Sequence, residues 1–178
     1  MKSLVIYTSK TGFTKRYAEW IADRLNADLI DLKEARNKCT DFFESYHVIA
    51  YGGWALAGNA VGAKWFLEKS VDWNHKRLAI FCVGSSPNDN PDIEEALHKM
   101  LTDEQRTRIK AFYCQGGISY ERMTMPYKLA MRWFVSSLKK KKDASEKERQ
   151  MAAILSSSYD ISDIKYIDPI VEYLEAGN

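Results

Sequence analysis

Residues 2–25, KSLVIYTSKTGFTKRYAEWIADRL, constrain this chain more than any other stretch. They spell a buried strand, a hydroxyl-rich turn and an amphipathic helix in immediate succession. Leu4, Val5, Ile6 and Tyr7 form an apolar, partly β-branched run of strand length. Tyr17, Ala18, Ile21, Ala22 and Leu25 recur at three- and four-residue spacing, which predicts one buried helical face. A turn entering a helix presents backbone N–H groups without intrahelical partners, and the helix dipole adds positive potential there. That arrangement binds phosphate. Ser9, Thr11 and Thr14 supply hydroxyl donors, and Gly12 keeps a Cβ out of the anion's way. No Gly-Lys-Ser/Thr follows, so the turn is not an ATP-type P-loop, and one glycine is too few for a dinucleotide fingerprint. A phosphate monoester held by hydroxyls and amides fits; a Thr/Ser helix cap with no ligand is the other reading.

The same alternation continues along the chain. Asp28 to Leu32 reads as a short second strand, and Val48–Tyr51, Leu78–Val83 and Ile109–Cys114 read as buried strands. Glu34 to Ser45 is charged and poorly periodic, hence a connection, and Trp54 to Gly62 reads as a loop. Ala63 to Lys69 reads as a helix, and Ile93, Ala96, Leu97 and Met100 give a helical face after the strong turn chemistry of Ser85–Pro91. Strands alternating with helices predict an α/β domain with a parallel sheet. Ligands of such sheets bind at the carboxyl ends of the strands. Here those ends are Thr8–Thr14, Gly52–Gly62, Gly84–Pro91 and Gly116–Tyr120, four flexible polar loops able to converge on one ligand.

Ser9-Lys10-Thr11-Gly12-Phe13-Thr14, directly after an N-terminal strand, resembles the [Ser/Thr]-x-Thr-Gly-x-Thr phosphate loop of flavodoxins. The resemblance implies a doubly wound five-stranded parallel sheet in the order 2-1-3-4-5, residues 1–178 as a single domain, and non-covalent FMN. Ser9, Lys10, Thr11, Gly12, Phe13 and Thr14 would then wrap the phosphate. Gly53, Trp54 and Ala55, with Gly84, Ser85 and Ser86, would surround the flavin ring; Asn88 would offer a further polar group. Trp54 stands where the family places a stacking aromatic, or else packs inward as core. The aromatic usual in the Gly84 loop is absent.

From Gly116 the chain departs from a minimal flavodoxin, with a helical insertion over 117–158. Gly116-Gly117-x-x-Tyr120-x-x-Met123, followed by a basic and apolar helix over 127–140, resembles the insertion of flavodoxin-type protoporphyrinogen oxidases. Tyr127, Ala130, Met131, Phe134, Val135 and Leu138 share a face. Either that face packs on the domain and the lysines are solvated, or the helix meets a membrane, a quinone or an apolar substrate. Lys139–Lys142 would be its electrostatic part. Asp143 to Gln150 is a linker or the exposed start of another helix. Asp168-Pro169 starts a last helix with Ile170, Val171 and Leu174 inward, stopped by Gly177.

These features predict an FMN-dependent redox protein, either an oxidoreductase acting on a small molecule or quinone, or a carrier docking to a redox partner protein. The formal net charge of +2 is too mild to suggest nucleic acid. No apolar run is long enough to span a membrane and no signal peptide pattern opens the chain, so a cytoplasmic protein is expected, with peripheral membrane contact open through 127–142. Cys39, Cys82 and Cys114 lack metal-ligand spacing, as do the scattered histidines, so no metal site is expected. Cys82 and Cys114 sit in strand-like runs, where small core residues belong.

Overall fold

The computed structural model describes residues 1–141 and 143–176. Its strands are β1 (Ser3–Tyr7), β2 (Asp28–Asp31), β3 (Val48–Leu56), β4 (Asn59–Ala60), β5 (Arg77–Gly84), β6 (Ile109–Gln115), β7 (Gly117–Ile118) and β8 (Tyr159–Asp160). Its helices are α1 (Phe13–Leu25), α2 (Leu32–Ala35), α3 (Thr40–Glu44), α4 (Ala63–Lys69), α5 (Asp92–Met100), α6 (Asp103–Arg106), α7 (Met125–Lys140), α8 (Glu146–Ile154) and α9 (Asp168–Glu175).

Five strands pair in parallel in the order β2-β1-β3-β5-β6, and β4 adds an antiparallel partner to the end of β3. This is the doubly wound arrangement expected, with the numbering shifted by the small hairpin strand. Alternate residues of each strand feed two cores, because successive side chains leave a strand on opposite faces. Leu4, Ile6, Ile49, Tyr51, Leu78 and Ile80 pack with Phe66, Trp73 and Met100 on one side. Val5, Val48, Ala50, Ala79 and Phe81 pack with Tyr17, Ile21, Ile170 and Leu174 on the other. Burial on both faces is why these strands read as continuous apolar runs. Each large side chain removed from water contributes roughly 1.5–3 kcal/mol. Cys82 and Cys114 are buried among them.

Several local expectations need correction. Leu32 leaves the second strand and opens α2, which Asp31 caps by accepting from the Lys33 amide at 2.7 Å. The Glu34–Ser45 connection contains α3 and the end of α2. Trp54–Gly62 is not a loop throughout: β3 runs on to Leu56 and turns back as β4. The turn has Ala57 at φ 49° and Gly58 at φ 80°, the paired positive values of a two-residue hairpin whose twist matches its strands. Asp168 is the first helical residue and not the cap, and its carboxylate lies 3.4 Å from Arg24. Of the two readings of Asp143–Gln150, the helix holds: α8 starts on a reciprocal Ser145–Glu148 capping box. Lys142 and Gly177 lie outside the described residues.

Candidate functional site

Register aligns the carboxyl ends of the strands. Tyr7 sits beside Gly52, Trp54 beside Val83, and Gly84 beside Gln115, so the loops that follow β1, β3, β5 and β6 open on one edge of the sheet. A cavity lies there. Its lining includes Lys10, Thr11, Phe13 and Thr14 from the first loop and helix, Trp54, Ala55 and Leu56 from the hairpin, and Val83, Gly84 and Ser85 from β5 and its loop. Gly117, Ile118, Met123, Tyr127 and Met131 close it from the insertion.

The first loop leads into an uncapped helix start. Gly12 stands before α1 at φ 98°, a backbone setting that disfavours a side chain, and its amide donates to Ser9 Oγ at 3.2 Å. No side chain caps the first turn of α1, and that turn holds no acidic residue. Its amides therefore keep their capacity for an external acceptor. Phe13 and Thr14 are the first residues of α1 and are buried, whereas Lys10 is exposed.

Arg122 is the residue that sequence reasoning missed. Its Nη1 lies 3.4 Å from the Thr11 carbonyl, and a Cβ built on Gly12 would come within 3.0 Å of it. Among the described residues no carboxylate pairs with this guanidinium. A cation thus reaches the hydroxyl-rich loop from a segment whose sequence, Ser119 to Thr124, carries no periodic signal.

The remaining predicted residues divide between lining and support. The Trp54 ring is half-buried at the cavity wall, and Lys10 Nζ lies 5.9 Å from its centre and 3.6 Å from that of Tyr127. Two aromatic rings thus approach one ammonium at the cavity, a favourable but modest attraction. Gly53 serves the hairpin rather than the cavity, since a Cβ there would come 2.4 Å from the Val61 carbonyl. Ser86 is held from behind: its amide donates to Tyr113 Oη at 3.0 Å, and its carbonyl accepts from that hydroxyl at 2.9 Å. Asn88 turns away from the cavity and exchanges hydrogen bonds with Gln115, both at 2.8 Å.

An aromatic does reach the Gly84 loop from outside it. Tyr159 of β8 donates to the Ser85 carbonyl at 2.6 Å. Burial raises the Tyr113 and Tyr159 hydroxyls above the ordinary range, so both stay protonated and keep donating. β8 pairs with β7 and brings Asp160 to Arg16, with 2.6 Å between Oδ2 and Nη1. Burial alone would raise the Asp160 carboxyl; hydrogen bonds from Ser162 and Arg16 outweigh it and hold it below its usual value.

The donor set and walls fit a phosphate monoester carrying a flat apolar ring: hydroxyls and free amides with Arg122 nearby at one end, aromatic and aliphatic surface with Lys10 at the other. Among the described residues Lys10 is the one charged group lining the cavity, and no carboxylate or imidazole lines it. The cavity therefore lends no support to the protoporphyrinogen oxidase resemblance. Among the described residues no cluster of three potential metal ligands occurs.

The profile of the flavodoxin domain family matches residues 4–145. Among curated proteins, the flavodoxin-like domain-containing protein BilS of Clostridioides difficile (strain CD3) is 30% identical over 126 residues, covering 67% of this chain and 68% of that protein. Uncharacterized protein MJ0298 of Methanocaldococcus jannaschii is 28% identical over 126 residues, covering 67% of this chain and 79% of that one. A solved flavoprotein in complex with FMN from Lactobacillus acidophilus NCFM aligns at 16% identity and a TM-score of 0.46, over 64% of this chain and 91% of its own. The match over most of the chain makes this protein a member of the flavodoxin domain family.

Proposed function

We propose that the protein is an FMN-dependent oxidoreductase acting on a small apolar organic molecule, a quinone being one such class. The observation that carries this reading is the continuity of an uncapped, hydroxyl-rich helix start with a cavity walled by Trp54, Tyr127 and aliphatic side chains. Ser9, Thr11 and Thr14 with the first amides of α1 would hold the phosphate, and Trp54 would stack against the ring. Lys10 Nζ lies 5.9 Å from the centre of the Trp54 ring, so a flavin stacked on Trp54 would have an ammonium beside it, and positive charge there would favour added electrons. FMN, when bound, supplies one- and two-electron transfer. The residues of this chain would hold and orient it.

The insertion separates this reading from the second, a carrier that docks to a redox partner protein and has no substrate of its own. Met123, Tyr127 and Met131 wall the cavity with apolar surface, which suits a small ligand better than a protein surface reaching for the ring edge.

The test begins with uptake. The purified protein should bind added FMN and give a flavin absorption spectrum, with riboflavin held more weakly for want of the phosphate. Thr11→Ala should weaken FMN by roughly tenfold to a hundredfold, the worth of a hydrogen bond to a charged group. Uptake of neither flavin would sink both readings. FMN uptake with turnover of quinones would establish the enzyme; FMN uptake with electron exchange to redox proteins alone would leave the carrier.

A further inference from the structure

Helix α7 does not bury the face that its sequence periodicity marks as apolar. Val135 is buried and Met131 and Leu138 are half-buried, but Tyr127 and Phe134 from the same face are exposed. A second set, Met125, Leu129 and Trp133, stands out further, at 65%, 58% and 75% exposed. These three follow one another at four-residue spacing and so form one stripe along the helix. Monomeric soluble domains seldom leave such a run of large apolar side chains uncovered.

The charge on the helix says what covers it. α7 carries Lys128, Arg132, Lys139 and Lys140 and no acidic residue. On a helical projection Lys128, Arg132 and Lys139 fall to one side of the stripe, while Lys140 falls within it. Long lysine and arginine stems lie along apolar surface and raise their charged heads to a headgroup layer. A second copy is a poor cover, because pairing through this face would set two acid-free cationic helices against each other. We propose that α7 is a peripheral membrane anchor, lying flat in an anionic lipid surface with Met125, Leu129 and Trp133 among the acyl chains. At 1.5 Å per residue its length is about 24 Å. None of the described helices is long and apolar enough to cross a bilayer.

The anchor and the cavity share this helix. Tyr127 and Met131 line the cavity while Leu129 and Trp133 face outward. On the flavin reading above, docking sets the cavity within about one helix diameter of the lipid. The substrate class is then an apolar molecule partitioned into the bilayer.

Flotation of the full-length protein, with and without added FMN, on two kinds of vesicle tests this. One kind is phosphatidylcholine alone; the other contains phosphatidylglycerol as well. The protein should float with the anionic vesicles and not with the neutral ones, and added salt should release it. Leu129→Ser with Trp133→Ser, both exposed positions, should abolish flotation while circular dichroism and FMN uptake stay unchanged. Lys139→Gln with Lys140→Gln should weaken partitioning by on the order of fivefold for each charge removed. Failure of the wild-type protein to float, or flotation of the Ser variant at wild-type levels, overturns the anchor. So does a wild-type dimer that the Ser variant converts to monomer without any lipid binding, or capture by an acidic protein in place of lipid. Loss of FMN uptake with flotation intact counts only against the flavin reading.

Discussion

Arg122 brings its guanidinium to the Thr11 carbonyl across 111 residues of chain. Nothing local in the sequence marks it, because an arginine in a polar loop has no periodicity and its partner is set by tertiary approach. The hydroxyl loop was legible for the opposite reason. Ser9, Thr11, Gly12 and Thr14 place their backbone and side-chain polar groups only a few residues apart, so their spacing carries the geometry. If the guanidinium neutralises a phosphate there, Arg122→Gln should weaken FMN by roughly tenfold, as loss of a charge-assisted bond does, and leave riboflavin unchanged. Competition between the two flavins, followed by fluorescence, reads this directly. Equal loss for both would mean that Arg122 merely supports the loop.

At the level of elements, the long parallel strands were legible because burial on both faces makes them continuous apolar runs, Leu78 to Val83 being the clearest. The β3–β4 hairpin was not. Its turn takes Ala57 into a left-handed conformation that alanine seldom adopts, and its small residues resemble those of any loop. Gly53 is the residue this hairpin depends on. Gly53→Ala would press a methyl group against the Val61 carbonyl, at 2.4 Å in the present backbone, so either the hairpin or the strand end must move. We expect a loss of about 1–3 kcal/mol in chemical denaturation, the usual cost of overpacking. Trp54 follows Gly53 directly, so its emission should change as well. Helix α7 was legible as an element but not in its packing, since periodicity shows which side chains share a face and not whether a neighbour covers it.

For the molecule as a whole, the two cores make a prediction about thiols. Cys39 is exposed, while Cys82 and Cys114 lie inside the sheet. Burial pushes the Cys82 thiol up to about 12 and raises Cys114 as well, and the thiolate is the reactive form. At about pH 8 an alkylating reagent should therefore modify Cys39 in the native protein and reach the other two only after denaturation. Mass spectrometry of the modified peptides checks this; rapid labelling of Cys82 would mean that the sheet opens. The overall order of strands was legible, as was the edge of the sheet on which its loops meet. What stayed hidden was the two-residue ribbon that pairs Gly117 with Asp160 and Ile118 with Tyr159, too short and too far apart in the chain to leave a pattern. That ribbon has an architectural consequence. Residues 119–158 leave the domain and rejoin it at neighbouring points, so the excursion behaves as a cassette clasped at its base. Its length and surface can be exchanged without altering a single strand register, and because Met123, Tyr127 and Met131 lie within it, each exchange changes one wall of the cavity together with the outer face.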